Sequence, residues 1–342
     1  MHDRKRLSAC ESRGRIVLPE AKRRFDTPLS AFLTVLRDKG DTANKIAPSP
    51  PSDRLDGKTC LVTGANSGLG YAIAVALSRR GAKLILATRS VDAGLVDKIK
   101  TETGNPSIEN FQVDLADLQS VEALVARIAS TTDHIDRLIL NAGLMASKAN
   151  VTPQGYEEMF AVHYLANYQL ITGLAKRGLL DRAADGATPR VIAISSEAHR
   201  SGLPIDPDSF GKVQPHTFRT ALKQYGHTKL AMSLMISGLS DEFKDETGTP
   251  TLSFFQSSPG PVATRIARSA PLLLRPFSWL LLPLLFSSPE QAAGPAIYLA
   301  CSPEMDGKTN LYMHMMRIKQ PAASAEDADS KAFVLAFAKA AY

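Results

Sequence analysis

Short apolar runs alternate along this chain with longer stretches in which apolar residues recur every three or four positions. The runs, bounded by turn formers, predict strands over 58–62, 83–87, 108–113, 137–140, 190–194, 251–255 and 309–314. The periodic stretches predict helices over 71–80, 91–103, 118–130, 155–180, 219–243 and 289–301. In the first of these, Ala72, Ile73, Val75, Ala76 and Leu77 supply the buried stripe. Strict alternation of strand and helix specifies an α/β fold, a doubly wound parallel sheet of Rossmann type with helices on both faces and a single domain. No internal repeat interrupts it.

Outside this pattern the chain changes character. Residues 40–54 are prolines and turn formers without periodicity, which places a boundary there. The organisation is therefore an N-terminal extension over 1–54, a nucleotide-binding catalytic domain over 55–319 and a C-terminal helical tail over 320–342. One short amphipathic helix is expected at 28–37. The net charge of +6 is concentrated in the extension, where 12 Lys and Arg face 7 Asp and Glu. The catalytic domain is close to neutral, and aromatics in the extension are confined to Phe25 and Phe32, so no nucleic-acid partner is expected. Asp3, Glu11, Glu20 and Asp26 argue against a transit peptide, and no apolar stretch of a secretory signal follows the early basic residues. A solvated tail is the simplest reading of the leader; an address to an organelle or an anionic surface is the alternative. Cys10, Cys60 and Cys301 have no paired spacing, and Cys60 lies within the first strand, which suggests a buried free thiol and a reducing compartment.

The block 270–286 is strongly apolar but is interrupted by Pro271, Arg275, Pro276 and Pro283. It is too short and broken to span a bilayer. Within a segment 265–287 it reads either as helices packed on the core or as a lid over an apolar substrate, with peripheral contact to an intracellular membrane. The location expected is cytoplasmic or at such a membrane.

Candidate chemistry begins at the first strand-to-helix junction, where Gly64, Ser67, Gly68, Leu69 and Gly70 form a glycine-rich turn. Gly64 permits the tight turn, Gly68 a close backbone approach and Gly70 close packing of helix on sheet, with a diphosphate at the helix's positive end. The second strand ends in Thr88-Arg89, with Thr88 where an NAD-binding chain commonly places an acid and Arg89 next to it. That favours NADP (NADPH) over NAD. Asp114, followed by Leu115, ends the third strand and suits the adenine amino group, though a helix cap would also explain it. Further on, Tyr225 and Lys229 are four residues apart on one helical face. An adjacent ammonium lowers a phenol's pKa, so that Tyr225 passes a proton to or from a substrate oxygen. The fifth strand delivers Ser195 and Ser196 to its carboxyl end, where such sheets place their ligands.

The ordered set Thr63-Gly64-x-x-x-Gly68-x-Gly70, Asp114-Leu115, Asn141-Ala142-Gly143, Ser196, Tyr225-x-x-x-Lys229 and Pro259-Gly260-x-x-x-Thr264 resembles the short-chain dehydrogenase/reductase superfamily over about 55–315. The stretches 190–199 and 225–231 and the apolar block are similar to its retinol dehydrogenase-like branch. The resemblance implies an NAD(P)-dependent oxidoreductase that interconverts an alcohol and a carbonyl on an apolar small molecule, retinoid-, steroid- or lipid-like. It implies that Lys229 holds the nicotinamide ribose and Ser196 polarises the carbonyl. Asn141, Ala142 and Gly143 would support the cofactor's middle, and Pro259, Gly260 and Thr264 would flank the nicotinamide. No metal is called for, and the remaining histidines, including His199, His216, His227 and His314, have no ligand spacing and are expected at the surface or in loops. Family members often pair through their long helices, here 155–180 and 219–243, so the resemblance leaves a homodimer open. One departure stands out. The family usually carries Asn where this chain has His163, an Asn that shapes the helix and holds a water in a proton relay. His163 also hydrogen-bonds in both directions and is a candidate replacement; the competing reading is a catalytically weak nucleotide-binding scaffold or sensor.

Overall fold

Strands β1 (Thr59–Thr63), β2 (Lys83–Thr88), β3 (Ile108–Gln112), β4 (Arg137–Leu140), β5 (Arg190–Ile194), β6 (Ser253–Ser258), β7 (Leu311–His314) and β8 (Arg317–Lys319) form one sheet. Its order is β3-β2-β1-β4-β5-β6-β7-β8, parallel throughout except for β8, which runs antiparallel at the edge. The computed structural model describes residues 37, 40 and 44–341, apart from 184, 203, 218, 219 and 263–285. Most of the leader, the helix expected at 28–37, Cys10, Thr264 and nearly all of the apolar segment 265–287 lie outside the described residues.

Every residue of β1, β4, β5 and β6 is buried, because helices cover both faces. Successive side chains point to opposite faces and feed two separate cores. Leu61, Ile85, Leu138, Val191 and Phe254 face α3 (Leu118–Ala129), α5 (Ala166–Ala175), α6 (Ala221–Glu242) and α9 (Ala328–Ala341). Val62, Leu84, Ile139, Ile192 and Phe255 face α1 (Gly68–Arg79), α2 (Ala93–Thr103), α7 (Pro289–Ala292) and α8 (Gly294–Cys301). Strand order reverses between β1 and β4, which opens a crevice above their carboxyl ends. The opposite end of the sheet is closed by Arg137 and Arg190, both buried. Their guanidiniums donate to the carbonyls of Ala300 (2.5 Å) and Leu299 (2.9 Å), where cations complement the carbonyl end of α8.

Several elements differ from those the periodicity predicts. The helix expected over 155–180 is three pieces: α4 (Glu158–Phe160), a π-helical turn at Ala161–Leu165 and α5. A wider turn leaves apolar spacing nearly intact, so sequence pattern does not reveal it. The last strand continues into β8 through Met315 and Met316, both with positive φ, giving an antiparallel hairpin in a sheet expected to be wholly parallel. Beyond it, α9 packs along α6. Leu335 fits where Gly238 has no side chain, Lys331 pairs with Asp241 at 3.0 Å, and the Tyr164 hydroxyl donates to the Val334 carbonyl. Cys60 and Cys301 are buried free thiols, and burial pushes the Cys301 thiol up to about 11. Among the described residues no helix is long and apolar enough to cross a membrane.

Candidate active site

The glycine turn lies at the carboxyl edge of the central strands. Gly64 (φ +68°) and Gly68 (φ +56°) adopt the left-handed conformation that side chains disfavour. A Cβ on Gly70 would stand 2.3 Å from both the Gly64 carbonyl oxygen and Asn141 Nδ2, so only glycine brings α1 this close. Beneath the turn, Thr63 Oγ1 accepts from the backbone N–H groups of Asn141 and Ala142, each at 3.0 Å. Asn141 Nδ2 in return donates to the Thr63 carbonyl at 2.9 Å. Asn141 therefore acts on the turn from behind, stapling β4 to β1. Ser67, at the start of α1, makes no side-chain cap. The first N–H groups of the helix are left for an outside acceptor, which suits a dinucleotide's diphosphate.

The ends of β2 and β3 are equally local. Gly64 N–H donates to the Ala87 carbonyl at 2.8 Å, which fixes the turn beside the end of β2. Arg89 is exposed two residues further on, after a buried Thr88. Asp114 is exposed and accepts from Ala116 N–H at 2.9 Å, forming its own small turn. The helix-cap explanation of Asp114 is corrected here: Asp117 caps α3, accepting from Gln119 N–H at 3.0 Å. The Leu115 side chain is buried in the core, so this position presents backbone only.

Ser195 and Ser196 leave the end of β5 in opposite senses. Ser195 is buried, with its hydroxyl 3.3 Å from that of Ser233. Ser196 is partly exposed and caps the short turn Glu197–Ser201, accepting from Ala198 N–H at 3.2 Å. Its hydroxyl is near enough to Tyr225 to favour the phenolate. One turn along α6, the buried Lys229 ammonium lies 5.7 Å from the Tyr225 ring centre and donates to the Ile194 carbonyl at 2.8 Å. Burial pushes the Tyr225 phenol up to about 12, opposed by the neighbouring Ser196 hydroxyl. Burial also brings Lys229 down to about 7. Desolvation drives both Tyr225 and Lys229 towards their neutral forms, and at Tyr225 the Ser196 hydroxyl opposes it.

His163 sits in the π-helical turn, fully buried, with its ring edge-on to Tyr225 at 5.4 Å between centres. Its Nε2 accepts from Leu144 N–H at 3.1 Å, so Nδ1 carries the proton and donates to Thr228 Oγ1 at 2.8 Å. Burial, and then the Lys229 charge, hold it well below its ordinary pKa. Both ring nitrogens are bonded to protein, so His163 ties the loop after β4 to α6 and has no nitrogen left for a relay water. Gly143 makes this approach close, since a Cβ there would lie 3.0 Å from His163 Nε2. Pro259 and Gly260 follow β6, and Gly260 (φ +76°) abuts Met315 of the β7–β8 turn.

Two histidines expected at the surface or in loops are buried: His199 in the turn after Ser196, and His314 on β7 beside Ser258. Thr63, Thr228, Glu197 and His199 shape the site without having been singled out for it. Thr63 and Thr228 lie inside motifs read for their neighbours, whereas the tie of His199 to the distant Ala322 leaves no local signal.

A glycine turn at a strand-order reversal, with Ser196, Tyr225 and Lys229 at the same edge, defines a dinucleotide-binding α/β oxidoreductase. Residues 58–207 match the family model described as short chain dehydrogenase. The chain is 32% identical over 318 residues to retinol dehydrogenase 13 of Mus musculus, covering 89% of this chain and 90% of that protein. It is 29% identical over 293 residues to polyprenol dehydrogenase of Mus musculus, covering 85% and 84%. Among solved structures it is similar to an uncharacterized protein from Mycobacterium paratuberculosis, with TM-score 0.64 and 26% identity, covering 86% of this chain and 97% of that one. The chain belongs to the short-chain dehydrogenase/reductase family, in its retinol dehydrogenase-like branch, and is an NAD(P)-dependent oxidoreductase.

Proposed function

We propose that this enzyme uses NADP(H) to interconvert an alcohol and a carbonyl on an apolar small molecule, of retinoid, steroid or lipid type. The observation that carries the reading is the convergence of Ser196, Tyr225 and Lys229 at the sheet edge that bears the glycine turn, with the Ser196 hydroxyl near enough to Tyr225 to favour its phenolate. Gly64, Ser67, Gly68, Leu69 and Gly70 would hold the diphosphate and Arg89 the additional phosphate. Asp114 and Leu115 would border the adenine, and Lys229, Pro259, Gly260 and Thr264 the nicotinamide end. When bound, the dinucleotide supplies or takes up hydride. Ser196 polarises the substrate oxygen, and Tyr225 gives it a proton in reduction or removes one in oxidation. Lys229, close to half protonated at neutral pH, stabilises charge on Tyr225 as the proton moves. His163 holds the Tyr225-bearing helix against the β4 loop. The apolar block and the names of the retinol and polyprenol dehydrogenase relatives support the substrate class.

The test is a panel of retinal, ketosteroids and long-chain aldehydes, with their alcohols, assayed with NADPH and NADH on wild type and Tyr225→Phe. Wild type should reduce at least one apolar carbonyl, with NADPH preferred. Tyr225→Phe should lose ~10²-fold or more in kcat while still binding nucleotide. Turnover that survives in Tyr225→Phe, or nucleotide binding by wild type with no turnover at all, overturns the reading.

A further inference from the structure

Ser196 is held by more than its own cap. His199, three residues on and fully buried, places ring Nδ1 2.6 Å from the Ser196 carbonyl oxygen. Its Nε2 receives the backbone N–H of Ala322 at 2.9 Å. A carbonyl only accepts and an amide N–H only donates, so the ring is neutral with its proton on Nδ1. The imidazole is thus a rigid spacer between the backbone of Ser196 and the segment that follows β8. The turn around it is fixed a second time. Glu197 accepts from the Tyr312 hydroxyl at 2.6 Å and pairs with Arg200 at 3.1 Å and Lys319 at 3.8 Å, binding the turn to the β7–β8 hairpin.

We propose that His199 is a positioning residue for the reaction: by donating to the Ser196 carbonyl while bonded to Ala322, it sets the Ser196 hydroxyl towards Tyr225. The inference rests on the roles assigned to Ser196 and Tyr225 above. It makes the post-sheet segment at Ala322 part of the support of the active site. A hydroxyl displaced by about 1 Å loses on the order of tenfold to a hundredfold in rate.

Two variants separate the two bonds. The amide of Asn reaches the place of Nδ1, and that of Gln the place of Nε2. His199→Asn therefore keeps the bond to Ser196, and His199→Gln keeps the bond to Ala322. On the best carbonyl of the panel, His199→Gln should lower kcat about tenfold or more, with KM and NADPH affinity within about twofold. His199→Asn should recover kcat to within about threefold of wild type. In a Ser196→Ala background, His199→Gln should cost less than about twofold further, because the group it positions is gone. Equal loss in Asn and Gln, a Gln loss that multiplies undiminished onto Ser196→Ala, or failure of both variants to fold overturns the proposal. Wild-type kcat in Ser196→Ala alone overturns instead the reading of Ser196, and this inference falls with it.

Discussion

Lys229 offers a quantitative check on the site that needs no substrate. Its ammonium is buried, and burial lowers its pKa from 10.5 to about 7. Between those values the unfolded chain binds a proton that the nucleotide-free folded chain does not, so stability rises with pH across the window and is nearly flat below it. Each pH unit within the window is worth about 1.4 kcal/mol, and partial protonation near pH 7 trims the gain from pH 7 to pH 9 to about 2 kcal/mol. For a chain of this size that is roughly 3 °C in melting midpoint. Tyr225 has the opposite sign, but its window runs from 10 to about 12, above the range measured. The assay is urea unfolding of the nucleotide-free protein at pH 6, 7, 8 and 9, for wild type and Lys229→Met. Subtracting the two cancels other titrating groups, and the wild type should gain on the variant by about 2 kcal/mol from pH 7 to pH 9. A difference that stays constant with pH would show that Lys229 is not desolvated in the folded chain, and the assignment of a half-charged lysine beside Tyr225 would be withdrawn.

Further outcomes follow from the same geometry. Gly70→Ala places a Cβ 2.3 Å from the Gly64 carbonyl; the turn must shift, and fluorescence titration should show nucleotide affinity weakened about tenfold or more in a protein that still folds. Arg89→Asp should move preference from NADPH towards NADH, read as the ratio of kcat/KM values; an unchanged ratio would exclude Arg89 from phosphate recognition. His163→Asn should not behave as a restoration of the family's usual residue. The shorter side chain cannot span Leu144 N–H and Thr228 together, and leaving the amide unpaired should destabilise the fold by about 1–3 kcal/mol in urea unfolding.

The glycine turn was legible because Gly64 and Gly68 need positive φ and Gly70 needs room, requirements that each act within a few residues. The α/β alternation was legible for a related reason: a strand covered on both faces reads as a continuous apolar run, and a helix as a 3.6-residue period. The π-helical turn around His163 was not, since inserting one wide turn barely disturbs that period. Nor was the β7–β8 hairpin, whose turn uses Met315 and Met316 at positive φ in place of glycine or asparagine. The pairing of Tyr225 with Lys229 followed from helical spacing. Their charge states did not, because desolvation depends on what the rest of the chain stacks over them.

The sequence by itself determined the doubly wound sheet, the glycine turn and the candidate reactive side chains, all set by local conformational preference and short-range spacing. The tertiary structure alone decided that His163 is a clamp with both nitrogens bonded, that burial drives Tyr225 and Lys229 towards their neutral forms, and that buried His199 reaches Ala322. Those outcomes depend on which groups meet across 65 or 123 residues of chain and on how much water is excluded where they meet. Spacing along the sequence does not encode that exclusion; packing does.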